Sequence, residues 1–393
     1  MIYTAKFSFM KEWKKYKLGE LITLKYGKDH KKLNDGSFPV YGSGGVMRYG
    51  NDYIYDDSSI LIPRKGSLNN IMFVDKPFWT VDTMFWSIID QELVLPRFLY
   101  YTLCKYDFAG LNVGSAVPSL TVPVIESIEV VIPSIEKQKR ILSLLVPLDD
   151  KIALNQRIND NLEQQAQALF KSWFVDFEPF KDGKFVESEL GMIPKGWRVG
   201  TLNEIGNVVG GGTPSKSKPE YYCSDGIAWI TPKDLSILKA KFIFNGEIDI
   251  TELGYKNSSA KIMPKGSILF SSRAPIGYIA IAQNDITTNQ GFKSVIPKKA
   301  GTAFIYLYLK ENVDNIESQA TGSTFKEASG SLMKAQKVVI PSGHIYDDFE
   351  NLLQPIFKKQ ANLEIECRNL STIRNTLLPK LMSGKLKINN LTR

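Results

Sequence analysis

Val130-Val131-Ile132-Pro133-Ser134 and Val338-Val339-Ile340-Pro341-Ser342 are the same five residues in the same order, 208 positions apart. Working outward, Val113-Gly114-Ser115-Ala116 stands against Thr321-Gly322-Ser323-Thr324 at the same offset, and so does Pro147 against Pro355. A shared offset of this size marks a duplicated unit of about half the chain rather than a short-period solenoid. Nearer the start, Trp13 with Lys17-Leu18-Gly19-Glu20 matches Trp197 with Thr201-Leu202-Asn203-Glu204 at 184, and Lys65-Gly66-Ser67 pairs with Lys265-Gly266-Ser267 at 200. The growing offset places insertions inside the globular part of the second copy. A constant frame around changeable interiors is what a recognition module needs, and two such modules suggest a molecule that grips two similar things.

Each repeat ends in a long helical pattern. Between Ile135 and Phe174 there is no glycine and one proline, and Leu148, Ile152, Leu162, Ala166, Leu169 and Trp173 step on a heptad frame with Asn155 and Asn159 in the polar gaps. The partner segment places Ile356, Leu363, Cys367, Leu370, Leu377 and Leu381 in the same frame, with Gln360 and Arg374 as polar exceptions. Forty residues extend about 60 Å at 1.5 Å each, too far for one small domain to cover. An antiparallel pair is therefore expected, kinked at Pro147 and Pro355 and stopped at Ser383-Gly384. The globular parts read as strands and turns, including Ser59-Ile60-Leu61-Ile62-Pro63 and Ile268-Leu269-Phe270-Ser271-Ser272, with helices near Pro96 to Leu103 and Phe304 to Leu309. The expected fold is α+β: two similar α/β domains separated by two long helices packed as an antiparallel coiled coil, a pseudo-twofold internal repeat. The divisions fall at residues 1–134, 135–180, 181–342 and 343–393.

The 393 residues are too many for one typical core. Forty-nine Lys and Arg against 41 Asp and Glu leave a net charge of +8, which favours a polyanionic partner. Cys104, Cys223 and Cys367 are widely spaced, offering neither a disulfide framework nor a zinc site. The opening MIYTAKFSFMKEWKKYK lacks the apolar run of a signal peptide, and no stretch of about 18 apolar residues occurs, so a cytoplasmic location is expected.

Catalytic signatures are lacking. Gly191-Met192-Ile193-Pro194-Lys195-Gly196-Trp197 has P-loop glycine spacing without the Lys-Ser/Thr that touches phosphate and magnesium. There is no nucleophile elbow, no HExxH and no methyltransferase Asn-Pro-Pro-Tyr motif, and the two histidines, His30 and His344, stand apart. Asp29-His30-Lys31 and Asp182-Gly183-Lys184 resemble nuclease triplets that arise by chance in a chain this charged.

What the loops offer is donors. In the first module these are Lys28, Lys31, Lys32, Ser43, Arg48, Arg64, Lys65, Asn69 and Asn70; in the second, Thr213, Ser215, Lys216, Lys218, Lys233, Ser272, Arg273, Asn289 and Gln290. Arg suits guanine O6 and N7, Asn and Gln suit adenine N6 and N7, and Ser, Thr and Lys hold phosphates. The aromatic-acidic stretch Trp173, Phe174, Phe177 and Phe180 would leave an exposed apolar surface unless it packs on its own module, and is otherwise a candidate subunit-docking site.

With these residues the chain resembles the specificity (S) subunit of a Type I restriction-modification system. The resemblance spans nearly the whole length: Glu189 to Trp197 leading into the second module, Leu148-Asp149-Asp150-Lys151-Ile152 and Asn155 to Leu162, Ala168 to Phe174, Thr288-Asn289-Gln290-Gly291-Phe292, and Leu377 to Leu386. It implies two target-recognition domains, each reading half of a bipartite double-stranded DNA site, and two helical regions that set the spacing and dock methyltransferase subunits. It also implies a non-catalytic chain with no cofactor of its own. S-adenosylmethionine, ATP and magnesium would serve the methyltransferase and restriction/translocase partners. Two other readings remain at this point: a coiled-coil protein binding non-DNA ligands, and a self-contained DNA-modifying enzyme with an unrecognised site.

Overall fold

The computed structural model describes residues 13–114, 117–322, 326–384 and 386. Ser115, Ala116, Ser323 and Thr324 of the repeated Gly-Ser motif lie outside the described residues. The chain forms two compact units, one of Met1–Lys151 with Leu370–Arg393 and one of Ile152–Asn369. The units cut across the four consecutive segments expected from sequence, because each takes part of each long helix.

In the first unit, Trp13–Lys17 pairs antiparallel with Glu129–Pro133, Lys17 facing Glu129. A four-stranded sheet runs in the order Ile22–Tyr26, Met84–Ile89, Ser59–Pro63, Met72–Val74. All five residues of Ser59–Pro63 are buried, since a central strand covered on both faces has no need of polar alternation. A three-stranded sheet of Gly45–Gly50, Asp35–Gly42 and Trp79–Thr80 stands beside it. The helix Pro96–Leu103 opens with proline in its first turn, where the missing N–H has no intrahelical acceptor, and buries Phe98, Leu99, Tyr101 and Leu103.

The second unit repeats this plan. Arg198–Thr201 pairs with Lys337–Ile340 in the equivalent register, Thr201 facing Lys337. A five-stranded sheet follows the order Gly206–Gly210, Lys293–Pro297, Ile268–Ser272, Ile276–Ala282, Phe242–Ile243, and the helix Thr302–Glu311 packs on it. The offset between copies is 184 as far as Tyr26 and Gly210 and 208 from Ser59 and Ser267 onward, so the added 24 residues lie between those points. There the first unit has its hairpin, and the second has the short helices Pro232–Leu238 and Glu252–Lys256 with the extra strand Phe242–Ile243.

This alignment corrects one sequence pairing. Lys65-Gly66-Ser67 follows the strand Ser59–Pro63, whereas Lys265-Gly266-Ser267 precedes Ile268–Ser272, so the two are not equivalent. Both glycines have positive φ, 88° and 87°, and the tripeptide recurs because the same turn chemistry is needed at opposite ends of the strand.

The helices Ile135–Phe174 and Ile345–Met382 are continuous through Pro147 and Pro355, both of which are exposed. In the second unit their halves run antiparallel. Asn155 Nδ2 donates to Glu366 Oε2 (2.8 Å), and farther along one helix and back along the other Gln360 Nε2 donates to the Asn159 carbonyl (3.3 Å). Ile152, Ala166 and Leu363 are buried in this seam, and so are Asn155 and Gln360, polar groups of the kind that set register at some cost in stability. In the first unit Arg374 Nη1 meets Asp149 Oδ1 at 2.7 Å, and Leu381 and Met382 join the core. The second helix stops after Met382 with Gly384 at φ 67°, its amide bonded to the Leu381 carbonyl (3.1 Å).

Most of the apolar surface expected around Trp173 is covered. Phe174 and Phe177 lie in the core of the second unit, and Trp173 and Phe180 pack against it. Phe174 meets Phe304 and Phe349 edge-on at 4.7 and 4.9 Å, and Phe180 meets Trp197 at 4.9 Å. The stretch turns back on its own unit at Phe177, whose φ is 53°, so that Phe174 and Phe177 are sealed and Trp173 and Phe180 are partly covered.

Candidate nucleic-acid interface

In each unit the loops at one end of the sheet are tied by the same backbone hydrogen bonds. In the first unit Lys28 N donates to Thr80 O (2.9 Å), Val81 N to Tyr41 O (3.0 Å), Arg64 N to Thr83 O (2.8 Å) and Leu120 N to Arg64 O (2.9 Å). In the second, Gly212 N donates to Thr288 O (2.9 Å), Asn289 N to Ile230 O (2.9 Å), Ser272 N to Gly291 O (2.8 Å) and Ala328 N to Ser272 O (2.9 Å). Bond for bond, these join equivalent residues. Two unrelated tryptophans even reach equivalent carbonyls: Trp79 Nε1 donates to Lys28 O at 3.1 Å and Trp229 Nε1 to Gly212 O at 3.0 Å.

The clamp depends on one glycine in each copy. A Cβ on Gly27 would lie 2.0 Å from the Val81 carbonyl oxygen, and one on Gly211 would lie 2.0 Å from the Asn289 carbonyl oxygen. Only glycine allows backbones this close.

Around this frame the first unit brings together Lys28, Ser43, Arg64, Lys65 and Asn70. Asn70 Nδ2 donates to the Ser43 carbonyl (2.7 Å), and a Cβ on Gly66, beside Lys65, would meet Ser43 Oγ at 2.9 Å. Arg64 donates to the Asp82 carbonyl (3.2 Å) with its guanidinium 5.5 Å from the ring centre of Tyr26, an exposed aromatic that the sequence reading missed. Lys31 and Lys32 are exposed on the neighbouring turn. Arg48 is turned to the base of the hairpin, held by Asp35 (2.8 Å) and the Leu33 carbonyl (3.1 Å). Asn69 is exposed but engaged by Asp107 (3.1 Å) and the Ala109 amide (2.9 Å), holding the loop.

In the second unit Thr213 Oγ1 donates to Gln290 Oε1, joining two distant loops. Lys216 is exposed, and Ser215 pairs with Ser217 (2.8 Å). Lys218 reaches the Tyr221 hydroxyl (3.1 Å), and Lys233 is bound to Glu247 (2.7 Å), which raises its pKa. Arg273 and Lys293 share Glu327 at 3.7 and 3.1 Å. Asn289 Oδ1 accepts from the Gly291 amide (2.9 Å) and shapes the turn. Ser272 is a correction: it is fully buried with Oγ on the Gly291 carbonyl (3.1 Å), because it ends a central strand rather than opening a loop.

The second unit also holds a buried charge cluster that no local pattern announced. Lys241 Nζ contacts Glu163 Oε2 and Gln360 Oε1, both at 2.8 Å, and stands 3.5 Å from the Phe357 ring centre; Lys310 meets Glu163 Oε1 at 2.7 Å. Glu364 accepts from the amides of Lys241 and Phe242, each at 3.1 Å. Burial opposes the Glu163 charge, but the two ammoniums overcome it and hold its carboxyl down at about 2. These bonds attach the globular part of the unit to its helical half.

The loops present cations, hydroxyls and amides. Among the described residues no group of three His, Cys, Asp or Glu is placed to hold a metal, and no helix is long and apolar enough to cross a membrane. Two units with one clamped loop frame and different side chains on it define a duplicated recognition protein. The chain belongs to the family of the Type I restriction modification DNA specificity domain, whose model matches residues 10–164 and again 194–366. Among its relatives, the Type I restriction enzyme HindI specificity subunit of Haemophilus influenzae is 27% identical over 96% of this chain and 100% of that protein. The MjaIX specificity subunit of Methanocaldococcus jannaschii is 41% identical over 49% of this chain and 46% of its own length. The crystal structure of the S subunit of a Type-I restriction-modification system from M. genitalium shares the fold, with a TM-score of 0.58 at 18% identity over 94% of this chain and 96% of that one.

Proposed function

We propose that this chain is the DNA-reading subunit of a Type I restriction-modification complex. Each unit reads one half of a bipartite duplex site through its clamped loops, and the two long helices set the distance between half-sites. The repeated set of backbone hydrogen bonds carries the reading, since it offers two equivalent platforms whose side chains differ. Exposed cations such as Lys28, Lys31, Lys32, Lys65 and Lys216 suit phosphates, and positioning contacts of that kind outnumber base contacts in protein–DNA interfaces. The helices themselves carry the docking surface for methyltransferase subunits, with Leu154 and Ile365 exposed on their solvent faces. The chain performs no chemistry of its own; S-adenosylmethionine, ATP and magnesium act in partner subunits.

The test is co-expression with the cognate methyltransferase subunit, with adenine methylation of host DNA mapped by single-molecule sequencing. Methylation at one bipartite motif, lost when this chain is omitted, is the expected result. Methylation or cleavage by the purified chain alone would instead favour an enzyme, and indifference to DNA would favour a coiled-coil scaffold. Adding four residues to the helix Ile135–Phe174 should change the spacer by about two base pairs, from about 6 Å of added rise, and leave both half-sites unaltered. An unchanged spacer would remove the ruler from the proposal.

A further inference from the structure

The equivalence of the two loop frames singles out one position in each unit. Asp82 and Gln290 occupy the same place, each following a residue whose amide is clamped (Val81, Asn289) and preceding one whose carbonyl is clamped (Thr83, Gly291). Both are exposed. Their side chains present opposite chemistry at one station of one frame.

Asp82 is unusual for a surface facing a polyanion. Its backbone carbonyl is occupied by Arg64, yet no hydrogen bond or ion pair engages its carboxylate among the described residues. A carboxylate beside phosphates is repelled unless something specific repays it, and Arg64 and Lys65 stand by to offset that repulsion. An ionised carboxylate only accepts hydrogen bonds, and the base-edge group in the major groove that it matches is the cytosine N4 amine. At Gln290 the Thr213 hydroxyl donates to Oε1 and so orients the amide. That leaves Nε2 as donor and one Oε1 lone pair as acceptor, the complement of adenine N7 and N6.

Building on the proposed reading of the loops, we infer that Asp82 and Gln290 are equivalent base-reading residues. Asp82 selects a C·G pair in the half-site of the first unit, and Gln290 selects an A·T pair in that of the second. The half-sites differ at this position because the stations carry different side chains on one backbone.

The experiment exchanges the two chemistries in the full chain assembled with its methyltransferase subunits. With Asp82→Gln, one base pair of the first half-site should shift toward A·T, and with Gln290→Asp one base pair of the second should shift toward C·G. Gain of the glutamine–adenine pair in Asp82→Gln, and its loss in Gln290→Asp, should each change discrimination by roughly 5- to 150-fold, the range for one bidentate base contact. Spacing and the opposite half-site should stay as they were. If Asp82→Gln fails to assemble, Asp82→Asn keeps the size of the side chain and should lose the preference for C·G at the same base pair. Unchanged motifs in assembled Asp82 and Gln290 variants overturn the inference. A parallel Lys65→Ala, Arg273→Ala variant separates the causes. If its site occupancy falls while the exchanged variants keep the original motif, only this inference fails. If its occupancy also stays at the wild-type level, the reading of the loop face fails with it.

Discussion

Gly211→Ala should abolish recognition of one half-site while leaving the other intact, and Gly27→Ala should do the same for the opposite half. At each glycine a Cβ would sit 2.0 Å from a carbonyl oxygen of the facing loop, and at Gly211 it would also come within 2.4 Å of Thr288 Oγ1. Contacts this short cannot be absorbed by a rotamer change, because the crowded atoms are mainly backbone. The loops must separate, at a cost of about 1 to 3 kcal/mol for forcing an extra carbon into a packed site. The clamps from Gly212 to Thr288 and from Lys28 to Thr80 lie one residue away and would lengthen or break. Stability should fall modestly and half-site occupancy by at least about tenfold, since each reading residue is then displaced from its station. Methylation mapping and a thermal melt of the same variants distinguish loss of recognition from loss of fold. Full occupancy with a normal melting temperature would show that the clamp does not position the readers.

Glu163→Ala should loosen the globular part of the second unit from its helical half. The carboxylate accepts from Lys241, Lys310, Gln360 and, at 3.2 Å, from the Tyr306 hydroxyl. Its removal leaves the Lys241 ammonium buried against Phe357 and Tyr306 with its nearest counter-charge gone. Truncating one partner of a buried pair costs about 3 to 5 kcal/mol, mostly from the charge left behind. A double change to Glu163→Leu, Lys241→Met should recover much of that loss, because neither charge then needs solvation. Hydrogen exchange at the strand Phe242–Ile243 reports the opening directly. Exchange in Glu163→Ala equal to wild type would show that the cluster does not hold the junction.

The same carboxylate sets an acid limit. Because the folded protein holds Glu163 at about 2, below its ordinary 4.5, its stabilisation is complete above pH 4.5 and is lost as the pH falls through 2. The stability difference between wild type and Glu163→Gln should therefore shrink by about 3 kcal/mol across that window. Glu364, pushed upward by burial, works in the opposite direction, but it is present in both proteins and cancels in the comparison.

Much of this architecture was legible in the order of residues. The repeated Val-Val-Ile-Pro-Ser, the shared offset of 208 and the heptad spacing announced a duplicated α+β protein with paired long helices. The helix Pro96–Leu103 and the stop after Met382 were equally plain. These signals are local, or are repeats of local ones: periodicity, proline in a first turn and glycine after a last turn act over a few residues. The membership of Lys28, Arg64, Lys65, Thr213 and Gln290 in polar loops was readable for the same reason.

What only the tertiary structure decided was which side chains are free. Ser272 and Arg273 are neighbours in sequence, yet one is sealed in a strand and the other reaches the surface. Arg48, Asn69 and Lys233 have the right chemistry for DNA but are engaged by Asp35, Asp107 and Glu247. Of the aromatics from Trp173 to Phe180, Phe174 and Phe177 are core and Trp173 and Phe180 are partly covered against it, and Lys241, which no sequence signal singled out, is buried. In every case the deciding partner lies at least 13 positions away or on another element. Solvent exposure and pairing are properties of the packed assembly of segments, whereas helix, strand and turn are properties of the segments themselves.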